Sequence, residues 1–314
     1  MTTFLVTGGA GFIGSHLADR LLAEGHRVIA VDDLSSGRIA NLGEARGYGK
    51  EFTFFNMDVR AEGILALFER HRPEVVMHLA AQAGVRASLE DPATDASVNV
   101  IGLINVLECA VKAGTRKVVF ASSGGTIYGE PKKVPVKESA LGGSRPQSPY
   151  GISKKVGIDY LAYYERFRGL DFTSLALGNV YGPRQDPLGE AGVVAIFASK
   201  MLAGEAPTIF GDGNQTRDYV FIDDTVHALA LAAEKGSGQV VNIGTGIETS
   251  VNALHKLLAG ITAFAGEPQA GPLPAGELRR IALDSKAAES ALGWRPWTHL
   301  EDGLGETVSY LKGL

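Results

Sequence analysis

Residues 3–14 read Thr-Phe-Leu-Val-Thr-Gly-Gly-Ala-Gly-Phe-Ile-Gly, and they constrain the fold more than any other stretch. Phe4 to Val6 is a short apolar run that predicts a buried strand. Glycines follow at Gly8, Gly11 and Gly14 before a helical pattern begins. The first glycine allows a tight turn, the second lets backbone approach a pyrophosphate, and the third lets helix and strand pack closely. The helix start then offers unpaired N–H groups and a partial positive charge to phosphate. The spacing alone is a weak signal. It gains weight because a second strand, residues 27–31, follows and ends on Asp32, where a carboxylate can accept both hydroxyls of an adenosine ribose. That acid favours NAD over NADP.

Further apolar runs at residues 52–55, 75–79, 117–121 and 172–177 predict strands, and helical periodicity falls between them at 61–70, 97–113 and 150–168. Residues 33–50 read as irregular surface. Strands alternating with helices imply a parallel, doubly wound α/β sheet covered on both faces. Right-handed crossovers then place the strand ends near 7, 32, 58, 80 and 122 on one rim, where ligands bind. After Asn179 the texture changes, with proline, glycine and charge clustered over 179–218 and 266–281. Asp223-Asp224 reads as the N-cap of a helix, and residues 239–243 as a strand returning to the sheet. The expected organisation is a dinucleotide-binding domain of residues 1–177 with 217–247, and a smaller domain of 178–216 with 248–314.

The chain has 314 residues, 45% of them apolar, and a net charge of −5. That length supports a sizeable core, and neither disorder nor a nucleic-acid-binding face is expected. No apolar run approaches a membrane span, and the N-terminus lacks the blocks of a signal peptide. The one cysteine, Cys109, can form no intrachain disulfide, which fits a reducing cytoplasm. The seven histidines show no metal-ligand spacing, so no metal is expected. His78 falls inside a strand and reads as a satisfied core residue.

Tyr150-Gly151-Ile152-Ser153-Lys154 is the second anchor. Residues i and i+4 share a helix face, so the Tyr150 phenol and the Lys154 ammonium can meet in one site. A free phenol titrates near pH 10, and lowering it by about three units takes roughly 4 kcal/mol. A cation at about 4 Å supplies that order of energy at an effective dielectric of about 20. Such a pair can remove a proton from an alcohol. It lies beyond a dinucleotide fingerprint, with Ser122 and Ser123 at the preceding strand end, where a hydroxyl can bridge substrate and tyrosine.

The glycine pattern, Asp32, Asp58-Val59, the Ser123 strand end and Tyr150/Lys154 together resemble the extended short-chain dehydrogenase/reductase superfamily. Leu79-Ala80-Ala81-Gln82, Asn99, Asn179-Val180-Tyr181-Gly182-Pro183-Arg184, Phe210-Gly211-Asp212-Gly213, Arg217-Asp218-Tyr219 and Asn242-Ile243-Gly244-Thr245-Gly246 narrow it to the nucleotide-sugar 4-epimerase family. The resemblance runs from residue 3 to about residue 311. It implies a Rossmann sheet with a smaller C-terminal α/β substrate domain, tightly bound NAD and a UDP-sugar substrate. Gly8, Gly11, Phe12, Ile13 and Gly14 would hold the pyrophosphate, Asp32 the adenine ribose, and Asp58 with Val59 the adenine. Leu79, Ala80, Ala81 and Asn99 would line the nicotinamide side. Lys154 would bond the nicotinamide ribose and depress the pKa of Tyr150, with Ser123 or Thr126 as the catalytic hydroxyl. Asn179, Val194 and Arg217 would hold the nucleotide diphosphate, with Glu277 beside it.

The chain departs from the family pattern in places. Gly124-Gly125 stands where one small residue commonly follows the hydroxyl, and Leu177-Gly178 where many relatives have aromatics. Pro274-Ala275-Gly276-Glu277 lacks an arginine common at the diphosphate site, leaving Arg279 or Arg280 as substitutes. Ile281 stands at the position expected to close the pocket around C2 of the sugar, which would admit an N-acetyl group at reduced rate. The implied reaction is NAD-dependent 4-epimerisation of UDP-glucose and UDP-galactose through a 4-keto sugar. Alternatives are a UDP-glucuronate epimerase using Arg86 and Arg184, a UDP-N-acetylglucosamine epimerase, a dehydratase, and a non-catalytic NAD-binding protein. A dehydratase needs an acid that Gly124-Gly125 does not offer. Apolar positions Val100, Leu103, Ile104 and Leu107, with the helix over 156–164, predict a two-fold helical interface and a homodimer.

Overall fold

The computed structural model describes residues 1–187, 192–274 and 276–313. Its central sheet is built from β1 (Thr3–Thr7), β2 (Arg27–Asp32), β3 (Phe52–Asn56), β4 (Val75–His78), β5 (Lys117–Ser123), β6 (Asp171–Leu177) and β7 (Gln239–Ile243). The spatial order is β7-β6-β5-β4-β1-β2-β3, and every neighbouring pair is parallel. This is the doubly wound α/β sheet expected from the alternation. Side chains alternate across it. Phe4, Val6, Val28, Ala30, Met77 and Val119 bury on one face, while Leu5, Ile29, Val31, Val76, Val118 and Phe120 bury on the other.

Helices α1 (Phe12–Ala23) and α6 (Ile222–Ala232) cover the first face. The second is covered by α2 (Ile64–His71), α3 (Pro92–Ala113) and α4 (Pro149–Arg168). The sequence places α3 from residue 97, but it starts earlier and passes through a π-helical turn at Ser97–Ile101. By length and composition α3 is long and apolar enough to cross a membrane, which corrects the expectation of no such run. The fold explains its composition: Leu103, Val106, Leu107 and Ala110 share a core cluster with Val76 and Val118.

Two smaller expectations change. Residues 33–50 are not wholly irregular, because Ile39–Leu42 and Gly43–Arg46 form short helical turns that bury Leu42 and Ala45. Asp223 and Asp224 do not cap α6, whose N-cap is Phe221 with no side-chain bond. Asp224 instead accepts from the backbone N–H groups of Trp297 at 3.1 Å and Thr298 at 3.2 Å, anchoring the chain ahead of the last helix.

Beyond β6 the chain forms strand pairs outside the central sheet: Asn179–Tyr181 with Tyr219–Phe221, Thr208–Phe210 with Gln269–Gly271, and Thr216–Arg217 with Thr249–Ser250. Helices α5 (Val193–Leu202), α7 (Val251–Thr262) and α8 (Leu300–Lys312) pack together there. Their buried Phe197, Met201, Leu254, Leu258 and Leu304 belong to the cluster that also contains Val6 and Leu175, so one core runs through both regions. Asp218 fastens the junction. Buried to 1% exposure, it accepts from Thr245 N–H at 2.8 Å, Thr245 Oγ1 at 2.6 Å, Gly246 N–H at 2.9 Å and Leu283 N–H at 2.9 Å.

Candidate active site

The glycine turn has the shape its spacing predicts. Gly8 has φ +68°, and a Cβ there would lie 2.8 Å from the Ala80 nitrogen. A Cβ on Gly14 would lie 2.0 Å from the Gly8 carbonyl oxygen, so α1 can start this close only with glycine. Gly11 is the N-cap of α1, with no side-chain cap bond and no acid in the first turn. Phe12, Ile13 and Gly14 therefore open α1 with the free N–H groups and positive pole that anions seek. Gly9 lies outside the glycine spacing, yet a Cβ there would lie 2.7 Å from Ala30 Cβ, so it too is held by contact with β2.

Asp32 ends β2 beside this turn, buried to 7% exposure. Its oxygens accept from Ala10 N–H at 3.0 Å and Leu34 N–H at 2.8 Å, which fixes the carboxylate and leaves further lone pairs for ribose hydroxyls. Burial pushes its pKa up, against those backbone bonds. Asp58 lies past the end of β3 and chelates Arg60, whose guanidinium holds the carboxyl below its usual range. Val59 is buried behind it. A glycine cradle that any Cβ would fill, an open helix pole and a fixed ribose-side carboxylate fit a dinucleotide.

The second anchor meets the first at the rim. Ser148 caps α4 by accepting from Gly151 N–H at 3.2 Å, and Pro149 begins the helix, so Tyr150 sits in its first turn. Gly157 lets α4 lie against β5, since a Cβ there would come within 2.8 Å of Phe120. Tyr150 hydrogen-bonds Ser123 at the end of β5. Thr126, the other candidate hydroxyl, donates back to the Ser123 carbonyl at 3.5 Å. Gly124 packs on Leu283, while Gly125 faces Asn179 and Ser123 with room beside it.

The electrostatics differ from the sequence reading. Lys154 Nζ donates to the Ala121 carbonyl at 2.9 Å and lies 5.8 Å from the Tyr150 ring centroid. Burial pulls its pKa down to about 8, opposed by the Asp95 charge. Burial pushes the Tyr150 phenol up to about 12, with the Ser123 bond opposing and Asp95 adding. The pair is thus brought together as expected, and burial leaves the phenol above its ordinary range.

At the exit of β4, Ala80 N–H donates to Thr7 Oγ1 at 3.2 Å, so Leu79, Ala80 and Ala81 run beside the glycine turn. Asn99 is buried and turned inward: its Oδ1 accepts from Gln82 N–H and its Nδ2 donates to the Gln82 carbonyl, both at 2.9 Å. His78 is half of what was expected. Its Nδ1 bonds Thr7 Oγ1 at 2.9 Å, but Nε2 has no partner among the described residues, and burial drives its pKa down to about 3. Asp95, unassigned in the sequence, bonds Ser153 and Asn99 beneath this site. A polar i, i+4 pair in α3 was its only signal, and such pairs usually mark a solvated face.

On the substrate side, Asn179 lines a small cavity with Gln185, Val194 and Tyr219, and Val194 is buried. Arg217 donates to the Leu278 carbonyl at 2.9 Å and pairs with Glu277, so these two predicted residues meet each other. Arg280 pairs with Glu248, leaving Arg279 as the substitute cation without a side-chain bond among the described residues. Ala275, within the stretch lacking the family arginine, lies outside the described residues. Arg184 does not reach the substrate side. It pairs with Asp19 of α1 at 2.6 Å, which removes it from carboxylate recognition. Ile281 is not a pocket wall either, because it is 1% exposed in a cluster with Ile127, Tyr128 and Leu283.

Residues 4–244 match the model of the NAD dependent epimerase/dehydratase family. A UDP-glucose 4-epimerase of Mycolicibacterium smegmatis is 48% identical over 309 residues, 98% of each chain. A crystal structure of UDP-glucose 4-epimerase with UDP-glucose from Thermotoga maritima superposes with a TM-score of 0.95 at 48% identity, covering 99% of both chains. One of the Thermus thermophilus UDP-glucose 4-epimerase with NAD gives 0.93 at 42% identity, again over 99% of both. With the glycine turn, Asp32 and the Tyr150–Lys154 pair in place, the chain belongs to the NAD dependent epimerase/dehydratase family.

Proposed function

We propose that the protein is a UDP-glucose 4-epimerase, interconverting UDP-glucose and UDP-galactose with tightly bound NAD. The observation that carries this is the placement of Tyr150, Ser123 and Lys154 on the same rim as the glycine turn and Asp32. The pyrophosphate is assigned to Gly8, Gly11, Phe12, Ile13 and Gly14, the adenosine to Asp32, Asp58 and Val59, and the nicotinamide side to Leu79, Ala80 and Ala81 with Asn99 supporting them. Asn179, Val194, Arg217 and Glu277 are assigned to the nucleotide sugar, and the division at 177/178, 217 and 247/248 is kept as the boundary between cofactor and substrate parts.

NAD, when bound, would supply the acceptor for the hydride leaving C4 of the sugar and a positive charge that favours the phenolate. Tyr150 takes the 4-hydroxyl proton at its Oη, with Ser123 Oγ bridging, and returns it after the keto sugar presents its other face. A phenol near 12 needs roughly 7 kcal/mol to ionise at neutral pH. A lysine ammonium 5.8 Å from the ring centroid offers on the order of 3 kcal/mol at an effective dielectric of about 20. Lys154 is therefore one of two charges the tyrosine requires.

A homodimer is also inferred. Ile152, Tyr163 and Phe167 are exposed on one stripe of α4, with exposed Ile101 on neighbouring α3. Leu103 and Leu107, expected in that interface, instead fill the core. The buried lone thiol of Cys109 fits a cytoplasmic setting.

The test is to incubate purified protein with UDP-glucose and no added nucleotide. Appearance of UDP-galactose, with NAD recovered from denatured protein, is the expected result. No turnover of UDP-glucose alongside turnover of UDP-glucuronate would replace this reading, although Arg184's engagement with Asp19 argues against that outcome.

A further inference from the structure

Asp95 has no exposed surface. Its Oδ2 accepts from Ser153 Oγ at 2.5 Å and its Oδ1 from Asn99 Nδ2 at 2.9 Å. Ser153 directly precedes Lys154 on α4. Asn99 clamps both backbone groups of Gln82, where β4 leaves the sheet. One carboxylate therefore ties the helix carrying the acid–base pair to the strand exit that flanks the site. Burying a carboxylate is costly, and a neutral amide could keep the bond from Asn99 at its oxygen and donate its NH2 to Ser153 Oγ, with the hydroxyl turned to accept. The charge is the part that hydrogen bonding leaves unexplained.

We propose that Asp95 is a positioning residue for the epimerisation, fixing α4 against the exit of β4 and placing a negative charge beside Lys154 and Tyr150. This rests on the assignment of Tyr150 and Lys154 as the acid–base pair. The groups facing Lys154 are Asp95 from α3, Tyr150 from its own helix, His78 from β4, and the Ala121 carbonyl and Phe120 ring from β5. His78 is neutral above about pH 3, so Asp95 is the one formal countercharge among them. It holds the pKa of Lys154 up against burial and adds to the rise at Tyr150. Removing the charge lowers both values, so both limbs of the pH–rate bell move toward acid.

The experiment is Asp95→Asn, which keeps the shape and the bond from Asn99 and lets the amide donate to a reoriented Ser153 hydroxyl. The pH profile of kcat on UDP-glucose is measured beside wild type, with NAD content as the check on folding. Both limbs should move to lower pH by at least about half a unit, with KM within two-fold of wild type. A profile superimposed on wild type overturns the proposal. If Asp95→Asn does not fold, Ser153→Ala is read instead, where kcat about five-fold or more lower at unchanged KM is expected, and wild-type kcat overturns it. Wild-type turnover tests the epimerase reading itself, so the two failures are distinguishable.

Discussion

Tyr150 was legible because its chemistry needs a neighbour four residues away, and Tyr-x-x-x-Lys is visible in any sequence. What was not legible is the cost of burial, which depends on residues 27 to 55 positions distant, such as Ser123 and Asp95. Tyr150→Phe keeps the ring and its packing, so NAD content should match wild type while turnover falls about 10²–10⁴-fold. Turnover within a few-fold of wild type would remove Tyr150 as the base. His78 gives a pH effect. It is neutral in the fold, with a pKa near 3 against 6.5 when unfolded. Its contribution is therefore complete above pH 6.5 and is lost as pH falls toward 3, about 2 kcal/mol by pH 5. His78→Gln should remove that loss, read as a smaller difference between denaturation midpoints at pH 7.5 and pH 5. An unchanged difference would show that another group controls acid stability.

Among elements, those with strong punctuation were read correctly. α4 has Ser148 and Pro149 at its start and Gly169 in a left-handed conformation at its end. The turns at Ile39–Leu42 and Gly43–Arg46 are too short to show a period, and the π-helical turn at Ser97–Ile101 breaks one. Asp218 carries no local signal of its role, because its partners Thr245, Gly246 and Leu283 are brought to it by tertiary folding. The packing of α1 on its turn yields a direct test. Gly14→Ala would drive a Cβ to within 2.0 Å of the Gly8 carbonyl. Destabilisation by about 1–3 kcal/mol and loss of copurifying NAD should follow, measured by thermal melting and nucleotide extraction. Gly260→Ala in α7 has nothing within 4 Å of its new methyl and should hold or raise stability by up to about 1 kcal/mol. Equal effects at the two sites would refute the steric account.

For the whole molecule, alternation of strand and helix was enough to predict one parallel sheet and the return of residues 239–243 to it. The surface was read less well. Helical spacing put Leu103 and Leu107 in an interface, whereas Tyr163 and Phe167 hold the exposed positions. Spacing gives a face but not which neighbour the face meets. If α3 and α4 form the two-fold contact, wild type should sediment as a dimer at micromolar concentration. The double variant Tyr163→Glu/Phe167→Glu should sediment as a monomer with NAD still bound; a variant that remains dimeric would place the contact elsewhere. The sheet order has a separate consequence for how the chain is made. β7 pairs with β6, Gln239 opposite Thr173, across a long stretch of intervening chain. During synthesis from the N-terminus, β6 emerges with its outer edge open and stays so until residue 243 has been added. An unpaired parallel edge is a template for other chains. The nascent protein therefore carries a sticky edge through that interval, and a product truncated between these strands would keep β6 as an open edge.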